Sequence, residues 1–246
     1  NGWTVDLAFK LDNSDGAAAQ IFDNRTLAIG LGDAGTLTFW GQAGSGVVGS
    51  YDDVMPTAYE ESFDGAGSPN RGASTGNMFY YTNAMEGFAI DLSYTPSNTG
   101  EHAGSTEFGV AVTAVEGLTI GAAAGENNAV VAGSLDITNM YVKYAMDAFT
   151  VGYQATESDS EVADADKDFT AMGISYAVSE EMSVSINSST IDYEDSSLSD
   201  QDSTGLSVSY VMGSMTLKAA HNTVDNIAGA SDADRSAYDL SLAFAF

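Results

Sequence analysis

The 246-residue sequence predicts an all-β chain, folded as a transmembrane, antiparallel, up-and-down β-barrel whose apolar side chains face outward. Hydrophobic residues recur with period two from end to end, and short and long connections alternate. No run of about 18 apolar residues offers a spanning helix. Alternating strands leave the mean hydropathy near zero, and here it is −0.06.

The first segment, 2–11, sets the pattern. Its odd positions are Trp3, Val5, Leu7, Phe9 and Leu11, and its even ones include Thr4, Asp6, Ala8 and Lys10, so the strand has two unlike faces. The same alternation returns at 88–94, 149–154, 182–187, 206–210 and 238–246. About 14 such segments start near residues 2, 24, 36, 77, 88, 105, 118, 134, 149, 168, 182, 203, 215 and 236. Each runs about 8 to 11 residues, the length a tilted strand needs to cross a bilayer.

The short connections are Asp33-Ala34-Gly35, Met85-Glu86-Gly87, Glu116-Gly117, Met146-Asp147-Ala148, Ser179-Glu180-Glu181 and Met212-Gly213-Ser214. Most join an acid or small polar residue to Gly or Ala, which suits a tight hairpin. The long ones, near 12–23, 43–76, 96–104, 125–133, 157–167, 191–202 and 223–235, hold all three prolines and most of the acids. Within strands the acids Asp6, Asp91 and Asp239 and the lysines Lys10, Lys143 and Lys218 all take the polar parity. The apolar stripe thus stays free of charge in mid-strand, where a charge facing lipid would cost about 2–4 kcal/mol. Tyr81, Tyr144, Tyr176 and Tyr210 stand just before short turns, as an interfacial aromatic belt requires.

With 35 acidic against 7 basic residues the net charge is −28, which excludes nucleic acid as a partner. Without cysteine, and with only His102 and His221, disulfides and the common zinc patterns are excluded too. The start, Asn1-Gly2-Trp3, has neither a basic region nor an apolar core, so the sequence reads as mature or partial. An acidic calcium-binding surface protein or adhesin without a pore would also alternate. About 14 strands in one meander, with Ser, Thr, Gly, Asn and Gln on the second stripe, favour the barrel.

Taken in order, three stretches resemble the general diffusion porins of alphaproteobacteria, the Rhodobacter-like kind. They are Leu37-Thr38-Phe39-Trp40-Gly41-Gln42 leading into a long loop, 77–88 after it (Asn77-Met78-Phe79-Tyr80-Tyr81 at its start), and the terminal 239–246 ending in Phe246. The resemblance covers essentially the whole chain. It implies a single barrel domain of 16 strands, constricted by its third external loop folded into the pore. It further implies a homotrimer in the bacterial outer membrane, in contact with lipid and lipopolysaccharide, passing small hydrophilic solutes. Since about 14 strands are visible, the expectation is that about 40 amino-terminal residues with the first two strands are lacking, or that the barrel has 14 strands.

The loop 43–76 is far longer than a hairpin needs and is the candidate constriction. It carries Tyr51, Asp52, Asp53, Tyr59, Glu60, Glu61 and Asp64, with Arg71 at its base. The resemblance places such carboxylates at the eyelet, facing basic residues on the wall. Lys10 is the basic residue expected nearest the eyelet, with Asp6, Asp91, Lys143, Lys218 and Asp239 along the lumen. A mouth rich in carboxylates predicts weak cation preference. No cofactor is required, although the acid-rich loops with Asp164, Asp166, Asp168, Asp192, Glu194 and Asp195 have the oxygen chemistry for calcium. No enzymatic activity is expected, because no Ser–His pair stands out on one face.

Overall fold

A computed structural model describes residues 2–11, 22–42, 44–52, 54–62, 74–75, 77–97, 104–129 and 133–245. The strands are β1 (Thr4–Leu11), β2 (Phe22–Gly30), β3 (Thr36–Gln42), β4 (Gly44–Ser45), β5 (Ser74–Thr75), β6 (Met78–Met85), β7 (Phe88–Thr95) and β8 (Ser105–Val112). They continue as β9 (Leu118–Ala129), β10 (Gly133–Met146), β11 (Phe149–Ser160), β12 (Lys167–Ala177), β13 (Met182–Tyr193), β14 (Gln201–Met212), β15 (Met215–Asp225) and β16 (Arg235–Phe244). Fourteen of them form one antiparallel sheet, each bonded to the next in chain order, while β4 and β5 make a small separate ribbon. Among the described residues β1 and β16 do not pair with each other, so the sheet is not closed.

Strand starts fall within about two residues of the sequence expectation, as the period-two signal allows. The strands β9, β10, β11, β13 and β14 are longer than expected, at 12 to 14 residues, while β12 and β15 reach the expected upper bound of 11. The surplus lies at the ends remote from the short turns, in polar stretches such as Gly133-Ser134-Leu135-Asp136, where hairpins continue beyond the apolar rows. At the short turns Gly87 and Gly213 adopt φ of 82° and 61°, a region costly for other residues.

Register assigns the faces. Ile186 stands opposite Ile174 and Leu206, and its neighbour Ser185 stands opposite Ser175 and Ser207. On the outer face Met140, Met172, Ile186 and Leu206 are more than half exposed, so the aliphatic rows do not meet in a dry interior. Tyr144, Tyr176 and Tyr210 lie on this face beside the short turns, with Tyr176 stacked on Phe149 at 4.5 Å. The inner face departs from the expectation of a uniformly polar wall, because it bears two apolar patches. Ala123 and Ile137 form one with Val47, Val48 and Tyr51; Phe169, Ala171 and Ile191 form the other with Met55. Both are sealed by the long loop.

Candidate functional site

The loop leaves β3 through β4 and makes a single helical turn, α1 (Val47–Ser50), whose two valines are fully buried. Burying each stabilises the seat by about 1.5–3 kcal/mol. The turn is also fastened by hydrogen bonds. Val47 N donates to Ser93 Oγ (3.2 Å), and both Val48 N and Ser93 Oγ donate to Glu107 Oε2 (3.0 Å each). Tyr51 donates its hydroxyl to Asp91 Oδ2 at 2.7 Å, and burial followed by this bond pushes the phenol pKa well up.

From there the chain runs along the inner wall in strand order. Asn139 Nδ2 on β10 donates to Tyr51 O (2.9 Å), and Gln154 Nε2 on β11 to Asp52 Oδ1 (3.1 Å). Asn187 Nδ2 on β13 donates to Pro56 O (2.8 Å), and Asn222 Nδ2 on β15 to Glu61 O (3.0 Å). In return Ala58 N donates to Ser185 Oγ and Tyr59 N to Ser207 Oγ. Tyr59 finally donates its hydroxyl to Asp239 Oδ1 on β16 at 2.5 Å, and Lys218 Nζ sits 5.4 Å above its ring. The bond to Asp239 pushes the Tyr59 pKa up to about 12.

The wall makes room by omitting side chains. A Cβ on Gly152 would lie 2.5 Å from Pro56 Cδ, on Gly205 2.9 Å from Ser62 Cα, and on Gly109 2.6 Å from Val47 Cγ1. These inward glycines form a trough for the loop.

The expected pore residues divide accordingly. Tyr59 and Glu60 are half-buried, Tyr59 reaching β16, and Lys10 and Asp6 are exposed on the inward parity of β1. Tyr51, Asp52 and Glu61 differ from expectation: all three are buried and turned to the wall or the loop's own backbone, since Glu61 Oε1 accepts from Met55 N (3.0 Å). Asp91 is likewise covered by the loop, whereas Asp239 receives the Tyr59 hydroxyl. Lys143 has the inward parity, 5.6 Å from the Tyr141 ring. Asp53, Asp64 and Arg71 lie outside the described residues. The anchors Glu107, Asn139, Gln154, Ser185, Asn187, Ser207 and Asn222 escaped the sequence reading, and their inward parity beside glycines was the available signal.

The acid-rich outer ends do not assemble as the metal reading required. Among the described residues no group of three or more acids or histidines could hold a metal ion. Asp166 Oδ1 accepts from Ser160 N (2.7 Å), and Asp195 Oδ1 from Ser197 N, whose hydroxyl and amide together hold the Asp195 pKa below the usual range. Asp164, at φ 59°, occupies a turn. The outward parity nevertheless carries rows of opposed acids: Glu126, Asp136 and Asp159 across β9 to β11, Glu157, Asp168 and Asp192 across β11 to β13, and Asp202 with Asp225. Like charges placed directly opposite repel. Glu194 Oε2 stands 3.5 Å from Asp166 N.

The outer face also brings together a Ser–His pair the sequence did not suggest. His221 Nε2 and Ser236 Oγ are 2.9 Å apart, with the imidazole stacked on Tyr238. Among the described residues no carboxylate is hydrogen-bonded to the other ring nitrogen, so the pair has no orienting group.

The family model for Gram-negative porins matches residues 1–197. No curated protein sequence matches significantly. Among solved structures, the anion-selective porin from Comamonas acidovorans shares the fold with a TM-score of 0.72 at 14% identity, over 100% of this chain and 85% of its own. The trimer form of OmpT from Vibrio cholerae gives 0.67 at 15% identity, over 97% and 84%. A multiply substituted variant of the Rh. blastica porin gives 0.67 at 15%, over 99% and 84%. A sheet with its apolar rows outward, a loop strapped across its inner face and a family match over most of the sequence lead to one conclusion: the chain belongs to the Gram-negative porin family and is an outer-membrane porin channel.

Proposed function

We propose that the chain provides a water-filled path for passive diffusion of small hydrophilic solutes and ions, narrowed by the loop 43–76. The observation that carries this reading is the loop itself, bonded to the inner wall from β7 to β16. Hydrogen bonds from residues 47–62 reach strands from β6 to β16. The inward side chains of β1 to β3, among them Thr4, Asp6, Lys10, Thr26, Thr36 and Thr38, line the passage opposite Tyr59 and Glu60.

A weak cation preference follows from the net charge of −28 and the acids Asp6, Glu60 and Asp239 near that passage. The Comamonas porin is anion-selective by its description, so sign is the decisive measurement. Reversal potentials across planar bilayers under a salt gradient are expected to show a cation-to-anion permeability ratio above one. A ratio below one refutes the charge argument, and absence of conductance steps refutes the channel.

The homotrimer reading draws on the trimeric OmpT and on the distribution of the outward acids. They occur on β9 to β15, whereas the described outward residues of β16, β1, β3 and β6 to β8 include none. An acid-free apolar sector suits contact with a second copy. The acid rows suit the polar margin of the outer leaflet, where calcium or magnesium would relieve their repulsion against lipopolysaccharide.

A further inference from the structure

We propose that Asn139, Gln154, Asn187 and Asn222 are positioning residues that fix the height of the loop above the wall and thereby set the aperture. This rests on the loop being the constriction. The four side chains belong to four strands, all are at least nine-tenths buried, and each donates to the loop at 2.8–3.1 Å. Their acceptors, Tyr51 O, Asp52 Oδ1, Pro56 O and Glu61 O, follow one another along the chain as the strands follow one another around the wall.

A wall that merely needed polarity would use serine, and it does so at Ser185, Ser189, Ser203 and Ser207. The carboxamides are a less comfortable choice. Asn139 Oδ1, Gln154 Oε1, Asn187 Oδ1 and Asn222 Oδ1 are buried with no hydrogen-bond partner, a cost that hydroxyls in the same places would avoid. Their length and direction account for their presence. Asn187 stands opposite Gly173 and Gly205, and Asn222 opposite Gly205. A Cβ on Gly173 would collide with Asn187 Nδ2, and one on Gly205 would lie 2.6 Å from Asn222 Oδ1. The glycines let each amide lie over the neighbouring strand in one orientation, so that its NH2 group meets a backbone carbonyl at a set distance. Three of these neutral spacers hold backbone carbonyls and the fourth, Gln154, holds the buried Asp52 carboxylate, so none is an exposed ion pair of the kind that salt weakens.

The test compares single-channel conductance, exclusion of neutral polymers and thermal unfolding for the full chain in planar bilayers and detergent. Asn187→Ala with Asn222→Ala removes two spacers and is expected to raise conductance by about 1.5-fold with a larger exclusion limit, because conduction follows pore diameter. Asn187→Gln lengthens one spacer, pressing Pro56 into the lumen, and is expected to lower conductance. A purely structural role would lower the unfolding temperature in all variants while conductance stayed put. If the double variant fails to insert, the milder Asn222→Ser, which reproduces the wall's own hydroxyl pattern, is expected to widen the channel measurably. Wild-type conductance and exclusion limit in the inserted variants overturn the proposal. Replacing residues 54–62 by a short Gly-Ser link separates the two readings. If that chain also conducts as wild type, the loop is not the constriction; if it conducts more while the amide variants do not, the spacer role alone falls.

Discussion

Gly152→Ala adds a single methyl group to the wall directly beneath the loop. The new carbon would stand 2.5 Å from Pro56 Cδ, 3.1 Å from Pro56 Cγ and 3.3 Å from Met55 Cε. Carbon atoms rest at about 3.5–4.0 Å, so the loop must retreat by about 1 Å. A proline ring does not fold away. Pro56 is also tethered through its carbonyl to Asn187, and Met55 is buried in the patch around Phe169, so the retreat is directed into the lumen. Alanine gains about 0.5–1 kcal/mol over glycine in the strand backbone, against about 1–3 kcal/mol for overpacking. The net expectation is a slightly destabilised protein with a narrower channel. Single-channel recording should show a lower conductance and a smaller exclusion limit, with thermal unfolding on semi-native gels lowered modestly. Wild-type conductance in a correctly inserted variant would refute the reasoning, because it would mean the loop does not rest on this wall in the membrane.

Tyr51→Phe removes the hydroxyl that Asp91 accepts at 2.7 Å in a site where that carboxylate is only 9% exposed. A loss of about 1.5–3 kcal/mol is expected in denaturant unfolding, and a loss under 0.5 would show that the bond is dispensable. Leu206→Arg puts a charge on the outward row at a position 59% exposed to the surroundings. It should cost about 2–4 kcal/mol in refolding from urea into lipid if the row faces mid-bilayer, and nothing if it faces water. Tyr59 holds its proton to about pH 12 against an ordinary 10.0, so the folded state binds that proton more tightly. The contribution of its bond to Asp239 is complete below about pH 10 and disappears as the pH rises towards 12. Phenolate absorbance of the wild type minus Tyr59→Phe should show this late titration, and a midpoint near 10 would contradict the contact.

The barrel wall was legible because its cause is local. One residue of register shift would turn Ile186 to the lumen and Ser185 to lipid, so hydrophobicity along the strand fixes the face without knowledge of its neighbours. The turns were legible from Gly87, Gly213 and the acids beside short gaps. The loop's path was not, because it is written in contacts between distant segments. Nothing near residue 52 shows that Asp52 meets Gln154, or near 61 that its carbonyl meets Asn222. Charge was a misleading guide there: Asp52 and Glu61 look like pore-lining acids, yet the Asp52 carboxylate accepts from Gln154 on the wall and the Glu61 carboxylate from the loop's own Met55 N. The apolar inward residues Ile137, Phe169 and Ile191 break the polar stripe because the loop lays Val47, Val48 and Met55 on them.

The loop's fastenings span from 30 residues, between Ser50 and Tyr80, to 180, between Tyr59 and Asp239. The far end, held also to β13, β14 and β15, therefore cannot be fully fastened until β16 is in place, and long-range closures of this kind come late in folding. A molecule inserted with its last hairpin still unpaired would be a leakier hole than the finished one. Assembly and sieving thus share a final step, and a cell that stalls the first weakens the permeability barrier through the second.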